Sequence, residues 1–253
     1  MNTWSARLAH PIFEPLRPWL ERLPAEGWPS YDALNALAEE AGVRTESGRP
    51  VRFVPPTASD PTYEIHVYES GRVSTRPQNG HDMFNALAWL AFPQTKATIN
   101  ALHAAEIPRE GGRRGRVRDL LTIFDEGGAV VACADAELRA MIRDFRWKEL
   151  FWHGRDRVLR ELRLVVVGHA VLDKALAPWP GIACKVMFAE SGASIDACAA
   201  GWLRRHAPGG SPKLLAPVPV FGYPGWHPGT SSESFYDDAR YFRGPPPVHP
   251  GSE

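Results

Sequence analysis

Residues 76–103 read RPQNGHDMFNALAWLAFPQTKATINALH, and this segment constrains the fold more than any other. Phe84, Leu87, Ala88 and Ala91 recur at helical spacing and form one apolar stripe. Pro93 cannot continue that helix and biases Phe92 away from helical geometry. The pattern predicts a helix from His81 to Phe92, a break, and a second helix over residues 94–105. The same segment carries Arg76, Asn79, His81, Asp82, Asn85, Lys96, Asn100 and His103. Such groups cost free energy among Trp, Phe and Leu unless they are paired or used. A site is expected here.

Composition narrows the function classes. A chain of 253 residues, 44% apolar and 23% charged, can bury a substantial core. Its 29 basic and 29 acidic side chains balance, which argues against a general nucleic-acid binder or a membrane-surface binder. Cys133, Cys184 and Cys198 are far apart and form no C-x-x-C pair, so a zinc knuckle or redox motif is not expected and a reducing compartment is. The first residues hold no apolar core of a signal peptide, and the apolar run at 164–167 is too short to span a bilayer. A cytoplasmic protein is expected.

The remaining segments predict an α+β fold, a predominantly helical single domain with short antiparallel strands and hairpins. Residues 1–29, with five prolines and Trp4, Trp19 and Trp28, read as an extended arm wrapped on the domain. Residues 30–217 form the main domain, and 218–253 a Pro/Gly-rich, aromatic tail packed on it. Ser30 caps a helix to about Ala41. Strands follow at 51–54, 63–68 and 73–75, with a turn at 69–72. Residues 109–118 read as a basic loop. Asp125-Glu126-Gly127-Gly128 reads as the turn of a hairpin between strands 120–124 and 129–133. Asp135 caps the next helix, one long helix covers 155–176, and Ser194 opens another through Trp202.

The string T-R-P-x-N-x-H-D-x-F-N-A-L-x-W-L-A-F-P-x-T-K-x-x-x-N-A-L-H at 75–103 resembles an uncharacterised bacterial family, domain-of-unknown-function family 3025 (DUF3025). RDLLTIFDEGG at 118–128, GHAVLDKALAP at 168–178, GYPGW at 222–226 and FYDDARYFR at 235–243 fit the same resemblance. Gly80 stands where the family pattern has Trp, and Ser74 where it has Pro. The resemblance implies this order of elements and carries no activity, cofactor or catalytic residue.

Candidate chemistry therefore rests on the residues alone. His81 sits at the positive end of a helix dipole, which favours a neutral imidazole base, and Asp82 can orient it or cap the helix. Lys96, Asn100 and His103 fall at i, i+4 and i+7, either an anion-binding stripe or a solvated face. Arg76, Asn79 and Asn85 would complete the substrate contacts. His169 and Asp173, one helical turn apart, are candidates for a supporting pair or for metal ligands, or are simply structural. Asp119 is a further candidate for a supporting or metal-ligating role and can pair with Arg114 or Arg116, while Asp125 and Glu126 read most simply as turn residues.

P-loop, dinucleotide and α/β-hydrolase signatures do not occur. The leading expectation is an enzyme with His81, Asp82 and His103 as catalytic groups, acting on a small anionic or phosphate-bearing substrate. The cofactor is left open, a divalent metal being admitted. The alternative is a non-catalytic binding or scaffold protein whose polar cluster fixes helix packing. A third reading, nucleic-acid binding through the arginines of 109–118, runs against the neutral charge.

Overall fold

The structure, a computed structural model, describes residues 8–24, 26–57, 63–111, 113–190, 192 and 194–245. The prolines near the start exclude a long helix. The chain instead makes a 3-10 helix over Pro11–Leu16 and one helical turn, α1 (Arg17–Leu20). Ile12, Phe13 and Leu16 are fully buried, so this segment enters the core and is not an extended surface arm. Trp19 and Trp28 pack against the core, and Trp4 lies outside the described residues.

Ser30 caps α2 (Tyr31–Glu40) by accepting from the Ala33 amide, as its position predicts. Strand β1 (Arg52–Val54) then leads to a helix, α3 (Tyr63–Ser70), where a strand was expected. Tyr63, Ile65 and Val67 alternate like a strand, yet Val67 alone of α3 is fully covered. After α3, β2 (Arg72–Ser74) pairs parallel to β1, with Phe53 opposite Val73. A helix must intervene because parallel neighbours need a crossover, which a hairpin turn at 69–72 could not supply.

The two helices around Pro93 are α4 (Gly80–Ala91) and α5 (Pro93–Glu106). Phe92 between them has φ −132° and ψ 55°, outside the helical region. Asn79 caps α4, accepting from the Asp82 amide at 3.0 Å, so Asp82 is not the cap.

A helix, α6 (Arg116–Gly127), replaces the expected strand 120–124 and runs directly into β3 (Gly128–Cys133) with no hairpin. Leu120, Leu121 and Phe124 bury one face of it. Asp135 caps α7 (Ala136–Arg143) by accepting from two amides. The long helix expected over 155–176 is three elements: α8 (Arg155–Glu161), β4 (Leu162–Val166) and α9 (His169–Lys174). The β-branched residues of Val165–Val167 favour a strand, and sheet pairing overrides the fortuitous helical spacing. β5 (Ala183–Ala189), α10 (Ile195–His206), capped by Ser194, and β6 (Ala216–Pro219) complete the body.

The four-stranded sheet has the order β4-β3-β5-β6. β3 is antiparallel to β4 and parallel to β5, and β5 is antiparallel to β6. The strands are thus mixed in direction, not antiparallel throughout. Every residue of β3 is buried, which suits a central strand covered on both faces. The result is a mostly helical, single-domain α+β fold whose core runs from Ile12 to Phe242.

Candidate active site

The junction of α6 and β3 builds the site. At the far end of β4, the amides of Val167 and Gly168 both donate to the Gly128 carbonyl, at 3.0 and 2.8 Å. A Cβ on Gly168 would lie 2.5 Å from the Glu126 carbonyl oxygen and 2.6 Å from the Gly128 nitrogen, so only glycine admits this approach. It sets His169, the first residue of α9, against the last turn of α6.

There His169 Nδ1 donates to the Asp125 carbonyl oxygen at 2.8 Å. A carbonyl only accepts, which leaves the lone pair of a neutral His169 on Nε2. That atom faces His81 Nε2 at 3.1 Å, so the hydrogen between the rings belongs to His81. The rings meet edge to face with centroids 4.5 Å apart. Burial drives the His169 imidazole down to about 4; Lys96 and His81 add to this, against the pull of Asp125. The shared proton therefore stays on His81, and a neutral His81 keeps its own lone pair on Nδ1.

Behind this pair lies a buried network. Lys96 Nζ donates to Asn85 Oδ1 at 2.7 Å and to Asp125 Oδ1 at 2.5 Å, and it lies 5.8 Å from the Trp89 ring centre. Burial opposes the Asp125 charge, but Lys96 foremost, then His169, holds its carboxyl below the usual range. Asp125 is thus not the turn residue its D-E-G-G context suggested. Asn100 Nδ2 donates to both the backbone oxygen and Oε2 of Glu64, each at 2.8 Å. Burial, helped by the nearby Asp125 carboxylate, pushes the Glu64 carboxyl up to about 7 against the pull of Asn100, Lys96 and Arg118. His103 Nδ1 accepts from Arg118 Nε at 3.3 Å, and burial, with Arg118, Arg114 and Lys96 near, lowers its imidazole to about 4 against Asp125. The stripe of Lys96, Asn100 and His103 is therefore inside the molecule and not on a solvated face.

An open cavity of about 470 Å³ fronts these groups. His81, His103 and His169 line it, as do Glu64, Asp125 and Glu126. Arg76, Asp82 and Asn85 form a further part of the wall. Asp82 does not orient His81: both its oxygens accept from the Arg76 guanidinium, at 2.8 and 2.9 Å, and one also accepts from the Arg76 amide at 2.7 Å. Burial resists its ionisation, but Arg76 keeps the carboxyl below the usual range. Lys96 and Asn100 sit one layer behind the cavity wall, and Asn79 serves as the α4 cap.

Asp173 does not pair with His169. It packs at the start of α4, where a Cβ on Gly80 would lie 2.5 Å from its Oδ1, and burial raises its carboxyl despite His81 and Lys174. Asp119 pairs with Arg114 at 3.0 Å on a half-exposed surface and stays out of the cavity lining. The sequence reading missed Glu64, Arg114, Arg118, Thr122 and Glu126 as cavity residues. Arg118, Thr122 and Asp125 fall at i, i+4 and i+7, a signal that only a helix over 116–127 exposes.

Among the described residues, no group of three or more His, Cys, Asp or Glu is placed to hold a metal ion. None of their helices is long and apolar enough to cross a membrane. No curated protein and no solved structure matches the sequence. A family model described as "Protein of unknown function (DUF3025)" matches residues 51–245, a span that holds α3–α6, the whole sheet and every residue of the cavity wall named above. The chain belongs to the DUF3025 family.

Proposed function

We propose that this protein is an enzyme that works by general acid–base chemistry on a small anionic or phosphate-bearing substrate, in the manner of a hydrolase. The observation that carries the reading is the His81–His169 pair in the cavity wall. His169 holds the His81 ring through Nε2 and declines its proton, so His81 Nδ1 is a base with a fixed partner. Glu64, with a carboxyl near 7, can hold or release a proton at neutral pH. Arg114 and Arg118 offer guanidinium groups to an anion, beside Arg76, whose charge Asp82 balances. The free thiols Cys133, Cys184 and Cys198 fit a reducing, cytoplasmic setting, and the balanced charge argues against nucleic acid or a membrane surface as partner.

One observation favours the scaffold alternative. Lys96 ties Asn85 to Asp125 and Asn100 ties down Glu64, two sets of hydrogen bonds that would fix α3, α4, α5 and α6 without any chemistry. His81→Ala separates the two. Wild type and variant are offered a panel of aryl phosphates and carboxylic esters, and both are melted. The enzyme reading expects turnover by wild type, a loss of about 100-fold or more in the variant, and a nearly unchanged melting point. No turnover by wild type, with a variant melting several degrees lower, establishes the scaffold instead.

A further inference from the structure

The charges lining the cavity are not those of a simple anion site. Three arginines, Arg76, Arg114 and Arg118, face four carboxyl groups, Glu64, Asp82, Asp125 and Glu126. Arg76 and Asp82 cancel each other as a two-pronged pair. The others on or just before α6 are sorted by sign. Arg114 and Arg118 stand at its N-terminal end, and Asp125 and Glu126 at its C-terminal end.

This order is the reverse of what helix stability favours, since the N-terminal end of a helix is partially positive and its C-terminal end partially negative. The macrodipole therefore adds to the side-chain charges at both ends. The arginines are braced from outside the cavity lining. Glu110 accepts from Arg118 Nη1 at 3.0 Å, and Asp119 holds Arg114 Nε at 3.0 Å. Arg114 Nη1 and Arg118 Nη2 are left without a partner among the described residues. At the other end Lys96 neutralises Asp125, while the exposed Glu126 carboxylate has no partner among the described residues.

We infer that the cavity binds a zwitterion, with its carboxylate or phosphate on Arg114 and Arg118 and its ammonium group on Glu126. The inference rests on the acid–base reading of the same cavity and names its substrate class. His81 and His169 then lie at the ammonium end, because His169 is anchored on Asp125. Arg118 and Glu126 are eight positions apart on α6, about 12 Å along the axis between their backbones, so a ligand that meets both side chains carries its two charges several ångströms apart. Extended 5-aminopentanoate has this reach.

The test is calorimetric titration of the full chain with 5-aminopentanoate, pentanoate and pentylamine at neutral pH and low salt. We expect 5-aminopentanoate to bind at least about tenfold more tightly than either singly charged probe. Glu126→Gln, a change at an exposed side chain, should bring it down to the affinity of pentanoate and leave pentanoate unaffected. Equal binding of pentanoate and 5-aminopentanoate, with no effect of Glu126→Gln, overturns the inference and leaves the anionic reading in place. Pentylamine binding as tightly as 5-aminopentanoate overturns both, as does no binding of any of the three.

Discussion

At the scale of single residues, three buried titratable groups pull stability in opposite directions with pH. His103 and His169 have imidazoles lowered from 6.5 to about 4 by burial. Between those values the unfolded chain binds the protons, so their contribution is present above pH 6.5 and is lost as pH falls toward 4, roughly 3 kcal/mol each. Glu64 is raised from 4.5 to about 7, so its contribution is present below 4.5 and is lost as pH rises through 7. Together they place a stability maximum near pH 6.5. Glu64→Gln should steepen the rise between pH 4.5 and 6.5 and abolish the decline toward 7. Denaturant midpoints measured across pH for both proteins check this, and parallel curves would refute it. The His169 tautomer is likewise fixed by a single contact. No sequence pattern could show that His169 leans on a backbone carbonyl 44 positions away, because the partner is not a side chain.

At the scale of elements, what was legible followed from local chemistry. Pro93 breaks α4 from α5 wherever the chain goes, and Ser30, Asp135 and Ser194 cap helices with their own side chains. Three segments were misread because short apolar runs fit either period, and tertiary packing chose. Tyr63–Ser70 alternates yet is helical; Leu120–Phe124 is an apolar run broken only by Thr122, inside α6; and 158–172 keeps helical spacing across a helix, a strand and a helix. Glu64, Arg118 and Asp125 lie on the misread elements, so half of the cavity was hidden with them. The helix pair that was read correctly supplied His81, Asn85 and His103 to the wall, with Lys96 and Asn100 behind it. The glycine between β4 and α9 gives the sharpest test of this arrangement. Gly168→Ala keeps an allowed backbone, φ −64°, and is penalised by the clash with the Glu126 carbonyl and the Gly128 amide. We expect a loss of roughly 1–3 kcal/mol, as for overpacking a core, and a broken His169–Asp125 hydrogen bond visible as a shifted Nδ1 resonance by NMR. An unchanged resonance would show that the close approach does not position the imidazole.

At the scale of the whole molecule, the two ends of the described chain are built into one core. Phe13 is fully buried and stacks on Phe84 of α4, with ring centres 5.7 Å apart. His10 bonds to the Trp226 carbonyl at 2.6 Å, tying the first turn to the tail. Phe13→Ala should cost roughly 3–5 kcal/mol and keep a single unfolding transition. Calorimetry showing a second, earlier transition would mean that the N-terminal segment melts alone.

The Tyr241 hydroxyl has a consequence of a different kind. It donates to the Ile182 carbonyl at 3.0 Å and accepts from the Phe221 amide at 2.7 Å, closing the approach to β5 from the last aromatic segment. Tyr241 follows β5 in the chain, so on a ribosome β5 emerges well before the residue that seals it. In that interval this side of the growing sheet is open to chaperones and proteases.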